Sequence, residues 1–148
     1  MAISENTISP MVLNTIQSEF ESLYSEGWQF SWNPNNTPHR IFGKSISQNF
    51  DGSDPLQSEI AAREFISSNQ TLFILSEADM ALWVNEQHGN LRYLIFNQVY
   101  SGIPVWNGRI DFRYRLNGDL VLIGHDAFPN LNVNTNPGVS MDQAIFYS

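Results

Sequence analysis

Val12, Ile16, Phe20 and Leu23 recur at three- and four-residue spacing, the period of an amphipathic helix. Ser9-Pro10 supplies a cap and a first-turn proline, and Gly27 stands where a C-terminal cap belongs, so a helix is predicted over Pro10–Ser25. Trp28, Phe30 and Trp32 alternate with polar residues as a half-buried strand does. Asn33–Pro38 is rich in turn formers and reads as a loop, and Arg40–Gly43 reads as a weaker strand. Asp54-Pro55 opens a second helix, with Gln57 placed for a capping box and Ala62, Phe65 and Ile66 as its apolar face up to Asn69. Leu72–Leu75 and Met80–Val84 are short strand-like runs separated by a turn at Ser76–Asp79, and Glu86–Asn90 reads as a loop.

The densest β-forming stretch is Arg92–Tyr100, apolar on both faces and therefore expected to be a central strand covered on both. It breaks at Ser101-Gly102 and resumes at Ile103-Pro104-Val105, where Pro104 marks an edge or a bend. The clearest alternation follows. Ile110, Phe112, Tyr114 and Leu116 interleave with Arg109, Asp111, Arg113 and Arg115, which assigns one buried and one charged face. Asn117-Gly118 is a strong hairpin signal for a type I′ turn, and Asp119–Ile123 is the returning strand. Strands joined by such short turns need no crossover helices. The expected fold is α+β, an antiparallel sheet with helices packed mainly on one face. Pro129–Gly138 reads as a linker, and Ser140–Ile145 as the start of a third helix with its own capping box. No internal repeat is visible.

Composition narrows the function. Apolar residues make up 42% of 148, enough for a real core, and 15% charged residues with 13% aromatics are not the composition of a disordered chain. A net charge of −8 argues against nucleic acid as a partner, since phosphate binding needs a basic face. The absence of cysteine removes disulfides, thiolate metal sites and thiol nucleophiles. Met1–Glu5 lacks the basic start and apolar core of a signal peptide, and no run approaches the length of a membrane span, so no membrane partner is expected.

Candidate chemistry is sparse. His39, His88 and His125 lie in separate segments without ligand spacing, so no metal and no cofactor is expected. Asp51 and Asp54 could suggest calcium, but helix capping by Asp54 is the simpler role. Glu59 and Glu64 read as a solvated helix face rather than a general acid and base. No nucleophile elbow or phosphate-binding glycine loop occurs, and no catalytic residue is assigned. Arg109, Arg113 and Arg115 read as a solvated sheet face or as a docking stripe for an acidic or polar partner. Trp28, Trp32, Trp83 and Trp106 admit a carbohydrate platform, although core packing suits their apolar neighbourhoods better.

Gln98-x-Tyr100-x-Gly102-Ile103-Pro104-Val105, followed by Gly108, resembles the core signature of the fungalysin/thermolysin propeptide domain, found in the pro-regions of secreted zinc metallopeptidases. Ala62–Phe65, Asp79–Val84 and Gly118–Ile123 match further parts of that family, and Thr37-Pro38-x-Arg40-x-x-Gly43 resembles a lead-in of some bacterial propeptides. Ser140 and Ala144 resemble the opening helix of the PepSY-type domain that usually follows. The resemblance implies a lead-in over residues 1–50, a propeptide domain over 51–128, and a linker with the start of a PepSY-like domain over 129–148. It implies a secreted or extracytoplasmic, non-catalytic module that assists folding of, and inhibits, the catalytic domain of its own precursor metallopeptidase. Arg92, Gln98 and Tyr100 would be its contact residues, the other motif positions shaping the sheet. With the chain stopping inside the PepSY-like helix, weaker inhibition than by a complete pro-region is expected. The alternative is a secreted glycan- or protein-binding module not linked to a peptidase.

Overall fold

The computed structural model describes residues 10–146. The first helix, α1 (Pro10–Tyr24), starts at the expected proline; the Ser9 cap lies outside the described residues. Ser25 just beyond it takes a left-handed φ of 80°. A hairpin of β1 (Gln29–Trp32) and β2 (Pro38–Ser47) follows. In α2 (Pro55–Ser68) the Asp54 carboxylate accepts the Leu56 and Gln57 N–H groups at 2.9 and 3.2 Å, capping the first turn as the sequence predicts. Leu72–Leu75 departs from expectation. Leu72 and Phe73 belong to a short helix, α3 (Gln70–Phe73), which turns both side chains into the core and ends at Ile74 with φ 55°. A short apolar run carries no period of its own, and burial beside Phe65 decides this one.

The remaining strands are β3 (Met80–His88), β4 (Leu91–Tyr100), β5 (Ile103–Arg115) and β6 (Asp119–His125), and the last helix is α4 (Met141–Phe146). Together they form one antiparallel sheet of six strands in the order β1-β2-β6-β5-β4-β3. The expected loop at Glu86–Asn90 shrinks to Gly89-Asn90, because Glu86, Gln87 and His88 pair with Tyr93, Arg92 and Leu91. β4 is not central: β2 joins the sheet beside β6, which leaves β4 one strand from the edge. It is also covered on one face only. Arg92, Leu94, Phe96 and Gln98 are buried, while the residues between them are half-buried.

The core lies between the inner sheet face and the helices, in line with an α+β fold. Phe112 is its hub, with Phe65 of α2, Phe73 of α3 and Phe96 of β4 all 6.0–6.2 Å away in edge-on contact. Phe20 of α1 packs edge-on against Phe30 and Trp28, so α1 covers the same face. The core runs from Phe20 and Trp28 through Ile41 to Ala127, so the lead-in hairpin shares it with the strands that follow.

Turn chemistry is redistributed. Ser101 and Gly102 both have positive φ, 49° and 78°, which is the type I′ pattern between Tyr100 and its partner Ile103. At Asn117-Gly118 only Gly118 is left-handed, at φ 90°, and its N–H closes a turn on the Arg115 carbonyl at 3.0 Å. This is a three-residue loop with a terminal glycine rather than a two-residue I′ turn, because Leu116 joins the loop. A Cβ on Gly118 would sit 2.5 Å from the Phe50 carbonyl oxygen. Gly118→Val is therefore expected to cost about 2–4 kcal/mol, from φ strain plus displacement of Phe50. An unchanged urea midpoint would contradict the packing of this loop on Phe50.

Candidate functional site

The helices leave the opposite, outer sheet face open. Alternation along β5 turns Asp111 and Arg113 onto it, and pairing brings Arg40 of β2 and Gly124 of β6 alongside. Gly124 is the registration partner of Asp111, and a Cβ there would fall on the Asp111 Oδ1 atom and lie 2.6 Å from Arg40 Nη1. The missing side chain is what lets the carboxylate lie across the strand. Asp111, only 3% exposed, meets Arg113 at 3.3 Å and Arg40 at 3.7 Å. Among the described residues its Oδ1 has no hydrogen-bond partner, and charge alone holds it. Arg113 also lies over the Tyr93 ring at 4.2 Å, and Tyr93 meets the His88 ring edge-on at 5.1 Å. His88 in turn sits 3.0 Å from Glu86. The stripe thus forms a network across β2, β5, β4 and β3.

At one end the network reaches Asp126. Arg40 approaches it at 3.2 Å, Asn33 donates to it at 2.9 Å and His39 Nδ1 lies 2.7 Å away. Burial pushes the Asp126 pKa up, but the bonds from His39, Asn33 and Arg40 outweigh it and hold the carboxyl below its usual range. Around this cluster opens a pocket of about 500 Å³. The β1–β2 loop (Asn33, Pro34, Asn35) and His39 form one wall; Asn107, Arg109 and Phe128 form the other.

The propeptide-like motif builds that second wall. Between Asn97↔Arg109 and Val99↔Pro104, β5 carries three more residues than β4, and the extra length bulges out with Asn107 at φ 57°. Gly108 has no side chain, and a Cβ there would lie 2.7 Å from Gln98 Oε1. Gln98 uses the space to grip the backbone of Phe128, accepting its N–H and donating to its carbonyl, both at 2.8 Å. Gln98 is 4% exposed and works within the chain. Arg92 is as deeply buried and donates to the Gly52 and Ser53 carbonyls at 2.9 and 2.6 Å and to Asn85 at 3.3 Å. Tyr100 alone of the three expected contact residues keeps a half-exposed side chain, its hydroxyl accepting the Val133 N–H at 3.4 Å.

The tryptophans divide. Trp28 is core, whereas Trp83 and Trp106 are 63% and 85% exposed, against the expectation of core packing. Both stand at irregularities, Trp83 at the β3 bulge and Trp106 in the β5 bulge, where alternation no longer assigns a face. Among the described residues no group of three or more His, Asp or Glu is placed to hold a metal, and no helix is long and apolar enough to cross a membrane.

His125 is fully buried. Its Nε2–H donates to the Phe73 carbonyl at 2.7 Å and its Nδ1 accepts the Ala127 N–H at 3.3 Å, so both nitrogens are committed in the neutral form. Burial lowers its pKa, only partly offset by the Phe73 bond and the Asp126 charge. The unfolded chain takes up a proton near 6.5 while the folded chain does not. Stability is therefore complete above that pH and declines as pH falls below it, by up to about 1.4 kcal/mol per pH unit. Urea midpoints at pH 7.5 and 5.5 check this; equal midpoints would contradict it.

A sheet of this order with helices on one face defines an α+β, single-sheet class of domain. Within it, the chain is similar in structure to the C-terminal domain of YpeB from Bacillus megaterium. The TM-score is 0.53 over 94% of this chain and 74% of that one, at 14% identity, a likeness of fold. No protein-family model and no curated protein matches the sequence.

Proposed function

We propose that this chain is a non-catalytic binding module of the pro-region type, which docks on the catalytic domain of its precursor metallopeptidase, assists its folding and restrains its activity outside the cytoplasm. The uncovered sheet face carries this reading. Six strands present a preformed surface on which Asp111 holds Arg40 and Arg113, and Arg113 lies over Tyr93, so docking orders few side chains. A rigid surface of this kind can template the partner's chain and then cover it. The propeptide-like motif supports the same reading, and the likeness to the YpeB C-terminal domain supports the fold. The test is a calorimetric titration of the mature peptidase domain with this chain, with residual peptidase activity measured in parallel. Saturable binding with loss of activity, weakened by Arg113→Glu, is expected; binding that the substitution leaves unchanged would overturn the docking face.

Trp83 and Trp106 favour a second reading, a glycan- or protein-binding module without a peptidase. It predicts no His-Glu-x-x-His segment downstream in the parent gene and no binding to a metallopeptidase.

A further inference from the structure

The pocket beside Asp126 has a charge balance unlike the rest of the molecule. The chain carries −8 overall, yet in the ion-pair network that ends at this pocket three arginines, Arg40, Arg109 and Arg113, meet only two carboxylates, Asp111 and Asp126, and of these Arg109 and Asp126 line the pocket itself. Arg40 lies between the two acids, and Arg113 is spent on Asp111. The surplus falls on Arg109. Its closest carboxylate contact is 3.9 Å, to an Asp126 oxygen that Arg40 already approaches at 3.2 Å. Its side chain is 44% exposed, and among the described residues its guanidinium has no other partner. Asn107, on the same wall, has no side-chain hydrogen bond among the described residues, so a second donor stands beside the first. Pro34 and Phe128 complete the lining with apolar surface.

We propose that this pocket binds a carboxylate group carried on an apolar or aromatic body. A guanidinium matches a carboxylate through two parallel N–H bonds, and Asn107 can add a third donor. The one weakly engaged cation of the lining is Arg109, and Asp126 in the same pocket opposes a dianion, so a carboxylate is favoured over a phosphate. The volume of about 500 Å³ suits a group of amino-acid size, with its apolar part against Phe128 and Pro34. Such a carboxylate has two sources, the free C-terminus of a peptide or a small organic acid. The inference does not rest on docking to a peptidase, since it concerns a pocket complete within this chain.

The test is an NMR titration of the whole labelled chain with N-acetylphenylalanine, an acetylated pentapeptide ending in free phenylalanine, and the C-terminal amide of each. The expected result is saturable shifts at Asn107, Arg109 and Asp126, with the amides at least about tenfold weaker. Binding of both acids points to peptide C-termini; binding of the free amino-acid derivative alone points to a small acid. Arg109→Gln should abolish the response while leaving the unfolding midpoint in place, because that side chain is half in solvent. Equal binding of acids and amides, an equal response to inorganic phosphate, shifts confined elsewhere, or no shift at ~10 mM ligand would each overturn the proposal.

Discussion

Gly124→Ala is expected to destabilise the chain by about 3–5 kcal/mol, a large effect for one added methyl group. The backbone of Gly124 is not left-handed, so conformational strain is not the cause. The methyl would occupy the place of the Asp111 carboxylate and crowd Arg40 Nη1 at 2.6 Å. Asp111 would have to leave its ion pairs or push the strands apart, and a buried charge separated from its partner is among the costliest defects a fold can carry. A double-mutant cycle isolates the cause. In an Asp111→Ala background the added methyl meets no carboxylate, so Gly124→Ala should cost about 2 kcal/mol less there than in the parent chain. Additive effects of the two substitutions would show that the glycine serves some other purpose.

Arg92→Met is expected to cost about 3–4 kcal/mol, because it strips charged donors from the Gly52 and Ser53 carbonyls and from Asn85. These bonds pin the loop before α2 to the sheet. Gly52 also packs against the β5–β6 turn, where a Cβ would meet the Arg115 carbonyl oxygen at 2.5 Å. Arg92→Lys should rescue less than half of the loss, since one ammonium cannot reproduce a fork aimed at two successive carbonyls. Equilibrium urea unfolding of the three proteins measures this. A change below about 1 kcal/mol, combined with loss of partner binding, would return Arg92 to the contact role that its place in the propeptide-like stretch suggests.

Much of the fold is written locally. The alternation from Ile110 to Tyr114 assigns the inner face of β5 correctly, and all three inner residues are fully buried. The Asp54-Pro55 start of α2 is equally readable, because a cap acts within three residues of itself. What escaped was decided by pairing. The convergence of Arg40, Asp111, Gly124 and Asp126 depends on β2 lying beside β6, and nothing in the short Arg40–Gly43 apolar run signals that neighbour. One clue was present: a glycine inside an otherwise apolar strand, just before His125-Asp126, marks a close approach. The exposure of Trp83 and Trp106 was hidden for a related reason, since bulges shift the face of the residues within them and leave no trace in a two-residue period. Gln98 was singled out by its motif, but its partner, the backbone of Phe128, carries no side-chain signature at all.

If the open sheet face docks on a peptidase domain as proposed, a binding footprint will map to it. The labelled chain would be titrated with the unlabelled metallopeptidase domain proposed as its partner while backbone and side-chain resonances are followed. The predicted result is perturbation of outer-face positions across three strands, Phe42, Tyr93, Ile95 and Arg113, with the buried Phe65 of α2 and Phe73 of α3 left unchanged. Perturbations confined to α1 and α2, or none at saturating peptidase, would contradict it.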